Sequence, residues 1–341
     1  MPSISDFGSD SGSSGGFPSA LRGLPRARLD ALPLGGLRCL ILDAIARAPS
    51  PHNTQPWRVR WIGTVLMELG LDERRWLRAA DPMKRDAWLA IGCAVRNVQV
   101  AVAELGLVLD WEVKGDAVVM DFADDTAGRP LVPVEQVWER RTSRLAYASA
   151  PLPVELLTPL GQAAAPLQLI TLAGEQCTWL HRLLVAATAS QLADAPVHRE
   201  LYTWLRFTPA QRDRACDGLS YDALAIDRVT ALLSRALLHP RAMRFLARTG
   251  LHRMLASSAS AAARRTPQYQ LLWSERRTHD PAGLVLAGTR LQAIWLLLAA
   301  NGWYCHPASA IIDVQATAEE LCTRLRLPAA ATPLEILIRQ T

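Results

Sequence analysis

Two apolar helical segments of equal length, each bounded by glycines, lie 196 residues apart in this chain. Gly92 and Gly106 bound the first, and Gly288 and Gly302 bound the second. An Asp-Pro pair precedes each segment and a strand-like pattern follows it. In the first pair, Asp81 is expected to cap a helix with Pro82 in its first turn. Long helices with few charges belong at a large buried interface. The pattern predicts two related halves that pack like the subunits of a dimer, although any two buried helices with glycine caps would also look alike.

Composition and charge limit the class of protein. Of the 341 residues, 50% are hydrophobic, and the net charge of +5 is spread along the chain. The arginines form short clusters without the interleaved aromatic residues of a nucleic-acid groove, so no nucleic-acid partner is expected. Six cysteines show no C-x-x-C pair and no metal-like spacing with the histidines. They predict reduced thiols, no metal site and a cytoplasmic location.

Changes in composition along the chain predict its organisation. Residues 1–27 begin with a stretch rich in Ser, Gly and Asp, and are expected to form a disordered tail rather than a signal peptide. Loop-like residues separate a first half, residues 28–130, from a second half, residues 131–341. Residues 198–264 are mostly helical, with a turn at Asp217 and Gly218, and have no counterpart in the first half, so we interpret them as a lid. The longest apolar run, residues 294–300, is too short to span a bilayer, and a soluble protein without a membrane partner is expected.

Residues 48–57 join an apolar helical segment to an alternating segment that is typical of a strand. Three prolines fix φ in this loop and restrict the residues before them. Short polar side chains that can donate and accept hydrogen bonds lie between the prolines: Ser50, His52, Asn53 and Gln55. Such a stiff loop suits a heteroaromatic ring, and a simple polar connector between helix and strand remains an equal alternative.

A second chemical signal is a cluster of three arginines within five residues, Arg140, Arg141 and Arg144, with Thr142 and Ser143 between them. Forked cations and hydroxyl groups at this spacing suit a phosphate. Taken alone, the cluster fits a solvated charged turn better. The cluster indicates a phosphate site only in combination with the loop at residues 48–57.

Motifs of several other enzyme classes are absent from the sequence. There is no G-x-G-x-x-G after a strand, no Walker loop, no H-E-x-x-H and no G-x-S-x-G. A Rossmann oxidoreductase, a P-loop enzyme, a zincin and an α/β-hydrolase are therefore not expected.

The two segments together resemble motifs of the nitroreductase superfamily. Residues 48–57 read A-P-S-P-H-N-T-Q-P-W and resemble its flavin loop, A-P-S-x-x-N-x-Q-P-W. Residues 140–144 read R-R-T-S-R and resemble its phosphate motif, R-R-S-x-R. The order of the two motifs is reversed relative to ordinary members. This order resembles the tandem, fused branch, the Acg-type FMN-binding proteins, and the agreement extends over roughly residues 36–340.

The resemblance implies an α+β, nitroreductase-like fold. Two tandem half-domains, with antiparallel sheets flanked by helices, would form an intramolecular pseudo-dimer in a monomer. It also implies that Pro49, Ser50, Pro51, Asn53 and Gln55 line the isoalloxazine and ribityl side of FMN. The phosphate would be held by Arg140, Arg141 and Thr142, with Arg144 near the pyrimidine edge.

The chemistry that the resemblance implies is a flavin-dependent oxidoreductase. Hydride would pass from NAD(P)H through flavin N5 to a small organic acceptor, such as a nitro compound, a quinone or a conjugated metabolite, or in reverse in a desaturase. No catalytic side chain is required. The alternatives are a non-catalytic protein that sequesters FMN under the lid, and a cofactor-free interaction partner. The second half lacks the loop and the first half lacks the arginines, so one flavin site is expected, or none if basic residues absent near Thr341 are essential.

Overall fold

Two four-stranded antiparallel sheets, each with its own helices, form the body of the protein in this computed structural model. The structure describes residues 34–63, 66–124, 132–144 and 150–340. The predicted tail, residues 1–27, and most of the boundary between the halves lie outside the described residues. The domain limits 28–130 and 131–341 therefore stay a prediction.

The first half begins with a helix that leads into the loop at residues 48–57. Alternating apolar residues give the strands one buried face, as in the strand where Leu107 and Leu109 are buried and Val108 is exposed. In chain order its elements are α1 (Leu34–Ala46), β1 (Trp57–Trp61), β2 (Leu66–Leu71), α2 (Arg85–Ala103), β3 (Leu107–Lys114) and β4 (Ala117–Asp124). The strands pair in the order β1-β2-β4-β3, and every pair is antiparallel.

The second half repeats this topology with long additions. Its common elements are α3 (Gln136–Glu139), α4 (Val154–Ala164), β5 (Gln168–Ala173), β8 (Gln268–Ser274), α11 (Pro281–Ala300), β9 (Tyr304–Pro307) and β10 (Thr332–Gln340). The strands pair in the order β5-β8-β10-β9, again antiparallel throughout. This is the order of the first sheet when the four strands of each half are taken in sequence. The tandem α+β arrangement is therefore confirmed.

The additions lie between strands of the second half. Those between β5 and β8 are α5 (Glu175–Ala193), α6 (Ala195–Thr203), β6 (Leu205–Arg206), α7 (Pro209–Ala215), β7 (Leu219–Ser220), α8 (Arg228–Leu237), α9 (Pro240–Thr249) and α10 (His252–Ala259). Two further helices, α12 (Ala310–Asp313) and α13 (Gln315–Arg324), lie between β9 and β10. The segment at 198–264 is helical as predicted, except for the short parallel pair β6-β7, which no sequence pattern indicated.

The two central helices, α2 and α11, cross at a pair of glycines. A Cβ atom added at Gly92 would lie 2.1 Å from the carbonyl oxygen of Val285, and one added at Gly288 would lie 2.1 Å from that of Leu89. Leu89 and Val285 are separated by the same 196 residues as the glycines. The crossing is thus symmetric, and it joins the two halves through one continuous core.

The two central helices begin differently, although the repeated Asp-Pro pairs predict equivalent starts. Asp280 accepts a hydrogen bond from Gly283 N at 2.9 Å and caps α11, with Pro281 in its first turn. In the first half the predicted cap at Asp81 is wrong, because α2 begins three residues after Pro82, at Arg85. The Asp81 carboxylate instead accepts from Ala87 N at 3.0 Å. Asp81 therefore satisfies a first-turn N–H from outside the helix.

The length expectation for apolar segments is also wrong. Among the described residues one helix, Pro281–Ala300, is long and apolar enough to span a bilayer by length and composition, with a mean hydropathy of 1.6. In the structure 72% of this apolar stretch is buried inside the protein. Its hydrophobicity is accounted for by its position as a core helix of the second half.

The glycine crossing gives a prediction for stability. Gly92→Ala and Gly288→Ala each place a methyl group against a backbone carbonyl of the facing helix, and should lower the free energy of unfolding by about 2–3 kcal/mol. The measurement is chemical denaturation of the purified proteins. The control is Gly161→Ala in α4, where a Cβ would meet nothing within 4 Å. That substitution should raise stability by about 1 kcal/mol, and equal effects at all three glycines would contradict the close crossing.

Candidate functional site

The loop at residues 48–57 is held in an unusual conformation. Residues Pro51–Asn53 form a 3₁₀ turn, and His52, Asn53 and Gln55 all have φ near +50° although none is glycine. Ser50 closes the loop, because its Oγ accepts from Gln55 N at 3.0 Å. Non-glycine residues persist in this region only where the surroundings hold them, and such strain is concentrated at functional sites.

The arginine segment runs alongside β9. It follows α3, and Ser143 N donates to the Cys305 carbonyl at 3.1 Å while Thr142 forms a parallel bridge with Cys305. This contact fixes the backbone between two of the arginines. Arg141 lies with its guanidinium 4.5 Å from the ring centroid of Tyr304, and Arg144 Nη1 donates to the Ala223 carbonyl at 3.1 Å.

Arg140 is the member of the cluster with unsatisfied buried donors. Its guanidinium lies 4.7 Å from the ring centroid of Trp295, and Nη2 donates to the Arg47 carbonyl at 2.9 Å. Its Nε and Nη1 are buried without a hydrogen-bond partner. Burial lowers the pKa of Arg140 to about 10, so the group stays charged at neutral pH. A buried cation with free N–H groups is costly, and an anion placed there would satisfy it.

The loop and the arginine segment line one cavity of about 1580 Å³. Eight of the nine residues predicted to bind a cofactor are in its wall: Pro49, Ser50, Pro51, Asn53, Arg140, Arg141, Thr142 and Arg144. The exception is Gln55, whose Nε2 donates to the Cys216 carbonyl at 2.9 Å. Gln55 therefore holds the segment from 205 to 220 against the loop and does not face the cavity.

The turn at Asp217 and Gly218 fastens the lid segment to the loop. Gly218 N donates to the Asn53 carbonyl at 3.1 Å, and Asn53 Nδ2 donates to the Gly218 carbonyl at 3.2 Å. Gly218 has φ +76°, and a Cβ there would lie 2.5 Å from the Trp204 carbonyl oxygen. The position therefore needs glycine. The side-chain amide of Asn53, which the sequence predicted to bind a cofactor, thus donates a hydrogen bond to the protein backbone. Sequence reasoning did not predict this contact.

An ion-pair network supports the same contact. Asp217 binds Arg75 and Arg206, each at 2.6 Å, and Arg75 Nε donates to the Thr54 carbonyl at 2.6 Å. All three charged side chains are partly buried, with exposed fractions of 32%, 15% and 12% for Arg75, Arg206 and Asp217. We call this network and the Asn53–Gly218 pair the clasp. The sequence indicated only a turn at this position.

Two histidines face the same cavity, His52 in the loop and His306 in β9. Burial, and then the positive charge of Arg144, lower the pKa of His52 to about 4 and that of His306 to about 3. Both rings are therefore neutral at pH 7. They add polar groups to the cavity wall without further positive charge. His306 was missed by sequence reasoning because a lone histidine in a strand carries no motif.

Another part of the cavity wall is acidic. Arg85 pairs with Asp86 and Asp313, each at 2.6 Å, and the Ser309 hydroxyl donates to Glu335 Oε2 at 2.8 Å. Burial and the neighbouring carboxylates raise the pKa of Glu335 to about 7 and that of Asp313 well above its usual range. The same causes raise the pKa of Asp81, which completes this acidic cluster, to about 7. In the described part of the chain no group of His, Cys, Asp and Glu is arranged to hold a metal ion.

The additions of the second half supply an apolar wall. Apolar side chains from α6, the β6–α7 and β7–α8 connections, the end of α8 and α10 line the cavity: Leu201, Phe207, Leu224, Ile226, Leu237, Leu238 and Leu255. The cavity thus has a basic part with unsatisfied donors, an acidic part and an apolar part.

Comparisons with known proteins return NAD(P)H nitroreductases. No protein-family model matches the chain. It is 27% identical over 287 residues to a Serratia sp. protein named NAD(P)H nitroreductase PigM, and this match covers 79% of each chain. Two Mycobacterium tuberculosis proteins also carry the name NAD(P)H nitroreductase. One, Rv3131, is 32% identical over 48% of this chain and 49% of its own, and the other, acg, is 29% identical over 46% and 50%.

Solved structures of nitroreductases superpose on part of the chain. The FMN-dependent nitroreductase NfnB from Mycobacterium smegmatis, in complex with NADPH, gives a TM-score of 0.36 at 18% identity and covers 59% of this chain and 82% of that chain. A nitroreductase with bound FMN from Desulfitobacterium hafniense gives 0.35 at 14% identity, with coverage of 61% and 87%. These superpositions are partial, and the similarity to nitroreductases rests on the sequence relatives.

The fold and the cavity define an α+β protein of two fused halves with a large cavity lined from both of them. The relative that spans most of both chains is named an NAD(P)H nitroreductase, and the chain is thus similar to the nitroreductase superfamily. The resemblance predicted from residues 48–57 and 140–144 is confirmed at this level.

The raised pKa of Glu335 predicts a pH dependence of stability in the flavin-free protein. The folded state holds a proton on this carboxyl up to about pH 7, whereas the unfolded value is 4.5, so the free energy of unfolding falls as pH rises through this window. Glu335→Gln should remove about 3 kcal/mol of that fall. The lowered pKa values of His52 and His306 act oppositely, since their contribution rises between about pH 4 and 6.5.

The measurement is denaturant unfolding of the parent and the variant at several pH values from 4.5 to 7. Taking the difference between the two proteins cancels the histidine contribution. The exposed Glu319→Gln is the control and should leave the pH dependence unchanged. Parallel curves for the parent and Glu335→Gln would contradict the assignment.

Proposed function

We propose that the protein is an NAD(P)H-dependent oxidoreductase that binds FMN in the cavity described above. The observation that carries the proposal is Arg140, which lines the cavity together with the loop and whose buried Nε and Nη1 have no partner. Two adjacent cavity-lining residues, Arg141 and Thr142, add a cation and a hydroxyl. This donor set fits a phosphate monoester.

The remaining residues fit the other parts of the cofactor. Pro49, Ser50 and Pro51 give the wall beside the arginines a rigid, mostly apolar surface with one hydroxyl, which suits the face of a ring system. Arg144 supplies a cation near His52 and His306, both neutral at pH 7. Arg144 therefore accounts for the positive field of this part of the site. A cation here would stabilise negative charge on the pyrimidine edge of a flavin.

When bound, FMN would supply two-electron hydride exchange between NAD(P)H and a small organic acceptor. The protein's own groups bind and orient the partners and exclude water. The cavity is larger than one cofactor needs, and its apolar wall favours an acceptor with a substantial apolar surface, such as a quinone or a nitroaromatic compound. A desaturase that runs the same exchange in reverse fits this geometry equally well.

Arg140→Met tests the cofactor site. It should weaken FMN binding by about 10- to 100-fold, because charge-assisted hydrogen bonds to the phosphate are lost. Affinity is measured by quenching of flavin fluorescence, and turnover by NADPH oxidation with a soluble quinone. NADPH oxidation should fall with flavin occupancy.

Arg38→Met is a matched control. Arg38 also stacks over a tryptophan, with its guanidinium 4.8 Å from the ring of Trp61, donates to a backbone carbonyl and has a buried Nε without a partner. It does not line the cavity. Equal flavin affinity in the Arg140→Met and Arg38→Met proteins would contradict the proposed site.

A second function, sequestration of FMN without turnover, is favoured by the clasp. The clasp fastens the lid over the loop and would limit the access of a nicotinamide to the cavity. Asp217→Asn weakens the ion pairs of Arg75 and Arg206 and should loosen the lid. In a sequestering protein, NADPH would reduce bound flavin only in the variant, whereas in an oxidoreductase it would reduce the parent within the time of a stopped-flow trace.

The stoichiometry and assembly are part of the same proposal. The arginine cluster and the loop occur once each, so one FMN per chain is proposed, in a monomer whose halves form the pseudo-dimer. Flavin released by denaturation, divided by protein concentration, should give a ratio near one. The cytoplasmic location stays a prediction.

A further inference from the structure

The outer face of the lid is unusually apolar. Of the thirteen exposed large hydrophobic side chains among the described residues, seven lie in α8, α9 and α10 or the turn between the last two. Six of these seven do not line the cavity: Val229, Leu232, Leu233, Phe245, Leu251 and Met254. Monomeric proteins rarely concentrate apolar side chains on one surface unless it meets another surface.

The same segment is strongly basic. Residues 228–265 contain eight arginines and neither Asp nor Glu. All eight arginine side chains are exposed, and none takes part in a salt bridge in the described part of the chain. Elsewhere in the described residues ten arginines form salt bridges with carboxylates, as Arg75 and Arg206 do with Asp217. An uncompensated positive charge of this size attracts an anionic surface.

Helix α8 shows how the inner and outer faces divide. Thr230 and Ser234, four residues apart, line the cavity. Val229, Leu232 and Leu233 are 69%, 54% and 62% exposed, and none lines it. This spacing puts an exposed apolar stripe on the same helix beside the face that lines the cavity. The inner face is explained by the cavity, whereas the outer face has no partner within the described residues.

We propose that the outer face of the lid, formed by α8, α9 and α10, docks on the surface of an anionic lipid bilayer. Exposed apolar side chains between arginines, without acidic residues, are the pattern of helices that lie in the membrane interface. A second copy of the chain fits poorly, because two such faces would bring sixteen arginines together. An anionic polymer would neutralise the arginines but leave the apolar side chains in water. The proposal revises the expectation of no membrane partner and does not rest on the cofactor.

The docking face lies next to the cavity, so docking would affect how a ligand enters it. Leu237 in α8 is 47% exposed and also lines the cavity, so the docking face adjoins the cavity mouth. A docked lid would bring the apolar wall of the cavity next to the hydrocarbon region of the bilayer. An apolar acceptor could then enter from the lipid.

The test is co-sedimentation of the full chain with vesicles. The protein should bind vesicles of phosphatidylcholine mixed with phosphatidylglycerol, bind vesicles of phosphatidylcholine alone far more weakly, and lose affinity as salt is added. Replacing Arg241, Arg244 and Arg248 of α9 by Gln should weaken binding on the order of 100-fold, because each arginine near an anionic surface contributes about fivefold. Leu233→Gln combined with Met254→Gln should weaken it on the order of 10-fold.

Two controls separate docking from the proposed function. Met83→Gln combined with Val154→Gln changes side chains that are each 76% exposed outside the lid, and should leave vesicle binding unchanged. Arg140→Met should lose flavin but keep vesicle binding, and the outer-face variants should keep flavin and turnover of a soluble quinone. Absence of binding to anionic vesicles would overturn the proposal. Capture by heparin without vesicle binding, or a dimer in solution that the outer-face variants dissociate, would overturn it as well.

Discussion

The contact between Gly92 and Gly288 is the constraint on which the rest of this structure depends. With no side chain at either position, the backbones of α2 and α11 approach until each glycine faces a carbonyl of the other helix. Cys93 and Gln292 add interhelical hydrogen bonds, to the Gly288 carbonyl at 3.3 Å and to Asn97 Oδ1 at 2.7 Å. Most residues of both helices are buried, and residues of both sheets belong to the hydrophobic core around them.

A symmetric crossing would by itself give two equivalent clefts, and the additions of the second half remove that equivalence. The arginine segment runs beside β9, the loop at 48–57 leaves α1, and the shared core brings the two together in one cavity. The segment between β5 and β8 then covers this cavity and is fastened to the loop by the clasp. The core thus keeps the symmetry between the two halves, whereas the cavity is formed once, from residues of both halves.

The sequence predicted those features that depend on residues close together in the chain. The equal spacing of Gly92–Gly106 and Gly288–Gly302 indicated the paired helices, and the two motifs at residues 48–57 and 140–144 indicated eight of the residues that line the cavity. The features that sequence reasoning missed depend on contacts between residues far apart in the chain. Asp217 belongs to the clasp because it pairs with Arg75, 142 residues away. Glu335 has a raised pKa because it is buried, and Arg85 and Ser309, which interact with it, are also distant in sequence. The cap at Asp81 failed because tertiary contacts moved the start of α2, a shift that propensity does not encode.

The unsatisfied donors of Arg140 connect this architecture to ligand binding. Two buried guanidinium nitrogens without a hydrogen-bond partner destabilise the ligand-free protein, typically by about 1–3 kcal/mol for each polar group left unpaired. The stacking of Arg140 on Trp295, a residue of α11, shows that the central helices hold the cation in place despite this cost. An anion that reached these donors would supply the missing hydrogen bonds. Because Trp295 belongs to α11, which packs against α2 at the glycine crossing, the position of Arg140 depends on the same contact that joins the two halves.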